Sequence, residues 1–586
     1  MRHIKYLGVL MISIIALVGC NDDFLETKPK DALTLETKWT NTFLDLYCNG
    51  FYTEIVGHDG GWGQKGYLYE DDKTDNQAPF RFNKISAGQQ IVPDSKGGWG
   101  EVKNWAQLRK ANFLLAGLPN SVVTDVEKKH YEGIAKFWRA WFYFKKVKQF
   151  GDVTWSSKLI EPNDKEILFG ARTPRKDVMD SVLTDITFAC ENMKWGDIKK
   201  NDYVNKGTAL ALKARICLHE GTFRKYHGLG DEEIFLQNAR DAAKELIDSK
   251  KFSLYRGSGV ESSYHDLFKF VEMSGINELI LVRRYITGIY GHARLRYRNG
   301  KDGLTKDFVN DYLNLDGTFY DGSNDENLEA ELSNRDPRLR QTIWFSPKGG
   351  VFAPIASEVP ISTIPVPSLL GSKFVNPKGK EQNVGALFST TTGYHFSLSY
   401  EFNETNYGDM GGMDAPIIRY AEVLLDYAEA TAELGECTQE VLDVTVNDLR
   451  ARVGMDAKLT VAPIAEPAAT SDRSLLDYSL SPLLEEIRRE RRVELAAQGF
   501  RYDDLMRWKA GKFLEKPLRG MKVTGMNAKY VTSKTKIDEN GYIDMYKGDV
   551  GYSRTFDESK HYLKPIPRQS LVENPNLKQN PGWDKE

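Results

Sequence analysis

Apolar residues recur every three or four positions over long stretches of this chain. Residues 101–120, EVKNWAQLRKANFLLAGLPN, and residues 130–152, HYEGIAKFWRAWFYFKKVKQFGD, show this rhythm most clearly. The first stretch places Trp105, Leu108, Ala111, Leu115 and Leu118 on one helical face, and the second does so with Ile134, Trp138, Trp141, Phe144 and Val147. This spacing predicts two amphipathic helices with core-facing aromatics, the first ended by Pro119 and the second by Gly151.

The same rhythm returns in three further segments: KDVMDSVLTDITFACENM, KGTALALKARICLHEGTF and FLQNARDAAKELIDSKKF. Short connections between consecutive helices favour antiparallel hairpins. The spacing of roughly 34 to 40 residues per pair lies in the range of tetratricopeptide and related repeats. We therefore expect a mainly α fold, built on a tetratricopeptide-like scaffold.

The helical rhythm lapses between residues 251 and 413. Glycine and proline become frequent there, and NELILVRRYI and PISTIPVPSLL have an extended pattern. Because this stretch is too long for a connecting loop, it predicts an inserted, loop-rich lobe with short strands. The expected organisation is a leader over residues 1–19, an N-terminal repeat region over 20–250, the lobe over 251–413, and a C-terminal region over 414–586 with the last repeat pair and an irregular tail.

The amino terminus has the pattern of an exported protein. Arg2 and Lys5 precede an apolar run over residues 6–18, which matches a signal peptide and is too short to span a bilayer. The sequence LVGC, ending at Cys20, resembles the bacterial lipobox, whose cysteine is acylated; several acyl chains give stable anchoring. The following Asn21, Asp22 and Asp23 resemble the acidic export tag of surface lipoproteins. The alternative is an ordinary cysteine in a cleaved leader.

Charge and cysteine content exclude several classes of partner. The 79 basic and 82 acidic side chains give a net charge of -3, so no summed field attracts polyanions, and we expect no nucleic-acid partner. The other four cysteines, Cys48, Cys190, Cys217 and Cys437, show no metal-type spacing. Cys190 and Cys217 are predicted to be small buried hydrophobes, and no metal or cofactor is expected.

Two segments resemble enzyme or ion-binding motifs, but the sequence around them does not fit such sites. GWGQKG at residues 61–66 has the form of a dinucleotide loop, but a polar segment follows it instead of a helix. DGSNDENLEAE from Asp321 is rich in oxygen ligands, yet it departs from the EF-hand spacing at its sixth and twelfth positions. A pair of catalytic carboxylates for glycoside hydrolysis can come from anywhere in a chain, and the sequence singles out none.

The run EEIRRERRVELAAQGFRYDDLMRW interleaves acids with arginines. We interpret it as a helical charge lattice supported by i,i+4 pairs, and not as a nucleic-acid site. Arg491, Arg492 and Glu494 are expected to tie the last helix to the repeats.

Residues 57–105 combine aromatic and polar side chains on a glycine-rich, non-helical segment. A carbohydrate has apolar C–H faces and polar hydroxyl edges, so its receptor needs flat rings beside fixed carboxylates, amides and guanidinium groups. In a polar loop little nearby apolar surface is available to bury such rings. The segment therefore predicts a carbohydrate-contacting surface.

Several motifs together resemble the SusD/RagB family. They include CNDDFLETKP, RAWFYFKKVKQFGDV, NRDPRLRQTIW and YLKPIPRQSL, in this order along the chain. The resemblance implies four tetratricopeptide-like helix pairs supporting a loop-rich lobe. It also implies an outer-membrane, surface-exposed lipoprotein that captures nutrient, usually glycan, for a TonB-dependent transporter of the SusC type.

The resemblance and the aromatic segment together give a set of candidate glycan contacts. They are Trp99, Asp71, Asp72, Arg81, Trp62, Tyr67, Asn76, Tyr290, Tyr297 and Tyr394, the last three from the inserted lobe. The expected function is non-catalytic oligosaccharide binding. The alternatives are peptide capture, as in the RagB branch, a surface glycosidase, and a repeat scaffold that binds only proteins.

Overall fold

The computed structural model describes residues 35, 38–58, 66–292, 302–345, 367, 369, 371–375, 380–383, 389–399, 411–466 and 472–584. Its α-helices are α1 Asn41–Asn49, α2 Gly97–Gly100, α3 Ala106–Gly117, α4 Asp125–Phe150, α5 Lys165–Leu168, α6 Arg175–Asn192, α7 Lys206–His227, α8 Glu232–Asp248, α9 Ser263–Asp266, α10 Lys306–Asn310, α11 Leu328–Glu331, α12 Pro337–Thr342, α13 Tyr420–Glu433, α14 Gln439–Val444, α15 Val446–Arg452, α16 Pro482–Glu494, α17 Arg501–Arg507 and α18 Arg568–Glu573. Short 3-10 helices span Tyr52–Glu54, Tyr67–Lys73, Val102–Asn104, Leu118–Asn120, Asp472–Leu475, Gly511–Glu515 and Gly525–Tyr530.

The strands are short and antiparallel. They are β1 Gln77–Pro79, β2 Leu279–Arg283, β3 Asp302–Leu304, β4 Ile343–Trp344, β5 Lys373–Val375, β6 Glu381–Asn383, β7 His395–Phe396, β8 Ala415–Arg419, β9 Arg519–Lys522 and β10 Tyr542–Asp544. One sheet has the order β1-β3-β7-β4, and three two-stranded sheets pair β2 with β8, β5 with β6, and β9 with β10. The mainly α fold with few short strands is as predicted.

The long helix α4 shows how the sequence sets these elements. Thr124 and Glu127 form a capping box, in which each side chain accepts a hydrogen bond from the other residue's backbone N–H. The helix ends at Gly151, whose φ of 69° is a conformation that favours glycine. The predicted core aromatics Trp138 and Phe144 are buried. Trp141 is half-buried.

Successive helices pack into a layered scaffold. Helix α3 packs on α4, α4 on α6, α6 on α7, and α7 on α8. Helix α8 then contacts α13, and α13 contacts α16, although the whole inserted lobe lies between α8 and α13 in the chain. The main hydrophobic core fills these helix–helix spaces and includes Cys190 and Cys217, both buried as predicted and not in disulfides.

A second core lies under the lobe and the short sheets. It contains Tyr264, Phe308, Tyr312, Tyr394 and residues of the tail such as Met521. The lobe and the C-terminal tail therefore share one interior.

The arginine-rich helix α16 is buried, and its charges pair mostly across the fold. Glu494 accepts from Arg452 at 2.6 Å and from Arg338 and Arg419 at 3.1 Å. Arg491 contacts Asp426 at 2.7 Å on α13. The expectation of supporting i,i+4 pairs is wrong: Arg489 contacts Glu486 within the helix at i,i+3 spacing, and most other partners come from distant elements. The expected tie between this helix and the scaffold is present.

The predicted membrane-anchoring features concern the amino terminus. Within the residues that the structure describes, no helix is long and apolar enough to cross a bilayer. The leader, Cys20 and most of GWGQKG lie outside the described residues.

Candidate functional site

A pair of stacked tyrosines follows strand β2. Tyr285 and Tyr290 flank a tight turn, in which the N–H of Ile286 donates to the carbonyl of Tyr290 at 2.8 Å and the reverse bond is 2.9 Å. Gly288 in the turn has φ of 79°. The two rings lie 5.5 Å apart with an interplanar angle of 10°. The turn thus presents Tyr290, which is 49% exposed, in front of the buried Tyr285.

Arg283 fixes the outer ring. Its guanidinium donates to the Tyr290 hydroxyl and to the carbonyl of Ile55, and it lies 5.6 Å and 5.7 Å from the two ring centroids. We call Arg283, Tyr285 and Tyr290 the tyrosine platform. Its outer face combines a flat ring with a guanidinium edge.

His58, from the N-terminal region, supports the platform from behind. The His58 N–H donates to the Tyr285 hydroxyl at 2.9 Å, and the His58 ring lies 4.5 Å from that of His292 and 5.6 Å from that of Tyr67. The Nε2 atoms of the two histidines face the carbonyls of Asp414 and Met413 at 3.1 Å and 3.0 Å, so each must carry the hydrogen. Only glycine fits at Gly57, since a Cβ there would lie 2.2 Å from the Tyr285 hydroxyl.

The acids beside the platform are already bonded. Asp414 accepts from the Tyr285 N–H at 2.9 Å, from the Met273 N–H at 3.0 Å and from Arg284 at 3.1 Å. Glu272 also contacts Arg284. Burial raises the pKa of Asp414 to about 6, while these hydrogen bonds act against that rise. These carboxylates orient Arg284 and the backbone behind the rings.

The prediction that Trp99 is an exposed ring is wrong. Trp99 is 4% exposed and packs edge-on against Phe150 at 5.1 Å and Trp105 at 6.0 Å. Helix α2 turns this tryptophan into the main core, which is contributed by residues far along the chain. The polar sequence around Trp99 gave no indication that an apolar core would cover this ring.

The predicted polar contacts near residue 71 are also interior. Asp71 accepts from Asn76 at 2.8 Å and from the Ala497 N–H at 3.1 Å. Asp72 accepts from Asn83 at 3.0 Å, and Asn76 accepts from Arg492 at 2.8 Å. All three predicted contacts are buried, so their exposure was predicted wrongly. Asn76 ties this segment to α16 and Asp71 ties it to the residues that follow α16.

The remaining candidates divide into three groups. Tyr394 is fully buried and donates to Glu331 at 2.8 Å, so its predicted exposure is wrong. Trp62 and Tyr297 lie outside the described residues. Arg81 is exposed, next to Phe82, whose ring lies 5.5 Å from Tyr552 in a different aromatic group; its binding role stays a prediction.

The structure brings together Tyr67 and Tyr290 from the predicted set, through His58 and Tyr285. Tyr67 is buried, so it supports the site from within. Sequence reasoning missed Tyr285, Arg283 and His58. A signal for Tyr285 and Arg283 was present in RRYITGIYGH, where two tyrosines flank a glycine turn directly after a strand-like run.

No metal centre accompanies the platform in the part of the chain that the structure describes, where no three His, Cys, Asp or Glu side chains are placed to share an ion. In the acidic segment from Asp321, the ammonium of Lys306 contacts both Asp325 and Glu331. That ammonium occupies the position a cation would take between these two carboxylates.

Comparisons with known proteins cover nearly the whole chain. A family profile described as "Starch-binding associating with outer membrane" matches residues 23–218. The SusD-like protein P38 of Formosa agariphila is 23% identical over 540 residues, which cover 89% of this chain and 94% of that protein.

Solved structures share the fold. A SusD-like carbohydrate binding protein from Bacteroides fragilis superposes with a TM-score of 0.69 at 21% identity, covering 93% of this chain and 100% of that one. Surface glycan-binding protein A from Bacteroides uniformis gives 0.57 at 16% identity, covering 92% and 99%. A second profile, described as "SusD family", matches residues 289–583, half of the chain. The chain therefore belongs to the SusD family.

Proposed function

We propose that this protein is a non-catalytic glycan-binding lipoprotein that captures oligosaccharide at the cell surface through the tyrosine platform. The exposed ring of Tyr290, stacked on Tyr285 and held by Arg283, is the observation that carries the proposal. A sugar ring can lay its C–H face on Tyr290, while the guanidinium edge donates to its hydroxyls. Because Tyr285 backs the outer ring, little conformational freedom is lost on binding.

Delivery to a SusC-like TonB-dependent transporter in the outer membrane completes the proposal. The family membership and the outer-membrane description of the N-terminal profile support it. Acylation of Cys20 after removal of the leader would hold the body at the surface. The acids nearest the platform are bonded to Arg284 and to backbone N–H groups, which favours a binding role over acid–base catalysis.

Substitution of Tyr290 tests the platform. We expect Tyr290→Ala to weaken polysaccharide binding about tenfold, since ring stacking and the buried area of the ring together contribute about 1.4 kcal/mol. Tyr290→Phe keeps the ring and loses only the hydroxyl, so its affinity should stay within about threefold of the wild type. Affinity electrophoresis in gels containing a panel of neutral and acidic polysaccharides measures both.

Phe169→Ala provides the matched control. This ring is equally exposed, at 49%, and its backbone carbonyl accepts from Asn576 near the C-terminal tail. Thermal melts establish that each variant is folded. Equal retardation of folded Tyr290→Ala and wild type would contradict the platform assignment, and binding of peptides in place of glycans would favour the peptide-capture alternative.

A further inference from the structure

A cleft opens between helices α4 and α7 of the helical scaffold. It encloses about 220 Å³, and its other walls are residues 54–56 and residues 495–500, which join α16 to α17. Glu54 and Trp141 are half-buried in its lining, and His219 is buried there. This volume is below the roughly 300–1,000 Å³ of sites for drug-sized ligands, so the cleft has room for a single sugar ring and not for a chain.

The charges that line the cleft are paired with charges of opposite sign. Lys148 contacts Asp503, and Arg215 contacts Glu422 at 2.5 Å. The other arginines of the wall are bonded to acids behind it: Arg419 to Glu278, Arg491 to Asp426 and Arg507 to Glu429. These pairs leave no free charge for an ionic ligand.

Lys145 is compensated at longer range. Within the described residues its ammonium makes no hydrogen bond or ion pair. Burial and the neighbouring Lys148 lower the pKa of Lys145, while the carboxylates of Glu54 and Glu70 act on it with opposite charge and oppose that change. A charged ligand would therefore lose its hydration on entering the cleft without meeting a free counter-charge. This wall favours an uncharged ligand.

The cleft also offers hydrogen-bonding groups that no protein partner uses. In the part of the chain that the structure describes, the Trp141 indole N–H donates no hydrogen bond and the Glu54 carboxylate accepts none. The Nδ1 atom of His219 is likewise unbonded, and burial lowers the pKa of this histidine well below its usual value, so the ring is neutral. Trp141 and Phe144 add flat apolar surface. Unused donors and acceptors thus lie beside aromatic faces.

We propose that this cleft is a second ligand site, which binds one neutral sugar ring. The C–H face of the sugar lies on Trp141 and Phe144. Because a hydroxyl both donates and accepts, the hydroxyls of the sugar donate to Glu54 and accept from the Lys145 ammonium, and one of them bonds to His219.

Charged rings and ringless polyols fit this cleft less well. A sugar acid would bring a carboxylate close to Glu54, and an amino sugar would bring an ammonium close to Lys145, with no free counter-charge for either. A polyol without a ring would leave the aromatic faces uncovered. The cleft shares no binding residue with the tyrosine platform, so this inference does not rest on the proposed function.

Calorimetric titration of the full-length mature protein tests this proposal. The probes are glucose, galactose, mannose and xylose, with sodium glucuronate, sodium galacturonate, glucosamine hydrochloride and glycerol as comparisons. We expect at least one neutral sugar to bind at least tenfold more tightly than the charged sugars and glycerol. Trp141→Leu, which keeps apolar contact with the core and removes the flat ring and its N–H, should weaken binding of that sugar at least tenfold.

Trp155→Leu is the matched control, because Trp155 is also half-buried against the main core and does not line the cleft; its affinity should stay within about twofold of the wild type. Thermal melts establish that each variant is folded. If Trp141→Leu does not fold, Val56→Trp gives the same test, since Val56 is 50% exposed in the cleft lining and a larger side chain there should obstruct the cleft.

Binding of none of the four neutral sugars, equally tight binding of a uronate, glucosamine or glycerol, or an unchanged affinity in the folded cleft variant would each overturn the proposal. The Tyr290→Ala variant separates the two sites. It should lose polysaccharide retention and keep the binding of the single sugar; loss of single-sugar binding in this variant would place that sugar on the platform and overturn the assignment to the cleft.

Discussion

At the scale of single residues, burial decides which predicted glycan contacts a ligand can reach. Tyr290 is exposed, and its contact with glycan stays a prediction, whereas Trp99 and Asp71, predicted from the segment 57–105, are interior. Composition near a residue indicates whether local neighbours can cover it. It does not indicate whether a segment hundreds of residues away does so, as the residues after α16 do for Asp71 through the Ala497 N–H.

The buried Asp71 carboxyl should make stability depend on pH. Burial raises its pKa from 3.8 to about 6, with the Asn76 hydrogen bond acting in the opposite direction. The native state then holds this proton to higher pH than the unfolded state. The contribution of Asp71 to the free energy of unfolding therefore falls as pH rises from about 4 to about 6.

Asp71→Asn should remove this dependence, because the amide can still accept both hydrogen bonds and does not ionise. The free energy of unfolding of the variant, relative to that of the wild type, should rise by about 3 kcal/mol between pH 4 and pH 7. Urea unfolding at several pH values measures the difference, with the exposed Asp94→Asn as control. If the difference in unfolding free energy between Asp71→Asn and wild type stays constant with pH, the raised pKa of Asp71 is refuted.

At the scale of elements, helices with a clear apolar rhythm were predictable and their charge partners were not. The rhythm gave α4, and the extended pattern of NELILVRRYI gave β2. The sequence of α16 suggested local i,i+4 pairs. Most of its partners instead lie on other elements, among them α12, α13, β8 and α15, and no spacing within one helix encodes such contacts.

Glu494→Gln should destabilise the protein strongly. Glu494 is fully buried among Arg338, Arg419 and Arg452, and losing one partner of a buried ion pair costs about 3–5 kcal/mol. Chemical denaturation measures the loss. Glu573→Gln, in the more exposed pair with Lys96, should cost less than about 1 kcal/mol; a similarly small loss for Glu494→Gln would show that this cluster does not hold the helix in place.

At the scale of the whole molecule, the candidate site is assembled from separate parts of the chain. His58 and Tyr285 are 227 positions apart, and Met413 and Asp414 come from a third region. The sequence could identify the helical scaffold and the family resemblance. It could not pair these segments, because their contact depends on how the lobe docks on the scaffold; the domain boundaries at residues 250 and 413 likewise stay predictions.

We propose that the protein binds glycan at its surface without cleaving it. Affinity electrophoresis of the purified mature protein across a polysaccharide panel, with a reducing-end assay on the same mixtures, tests binding and cleavage together. We predict that at least one polysaccharide retards the protein and that no new reducing ends appear. Uniform mobility across the panel, or release of oligosaccharides by the protein, would contradict it.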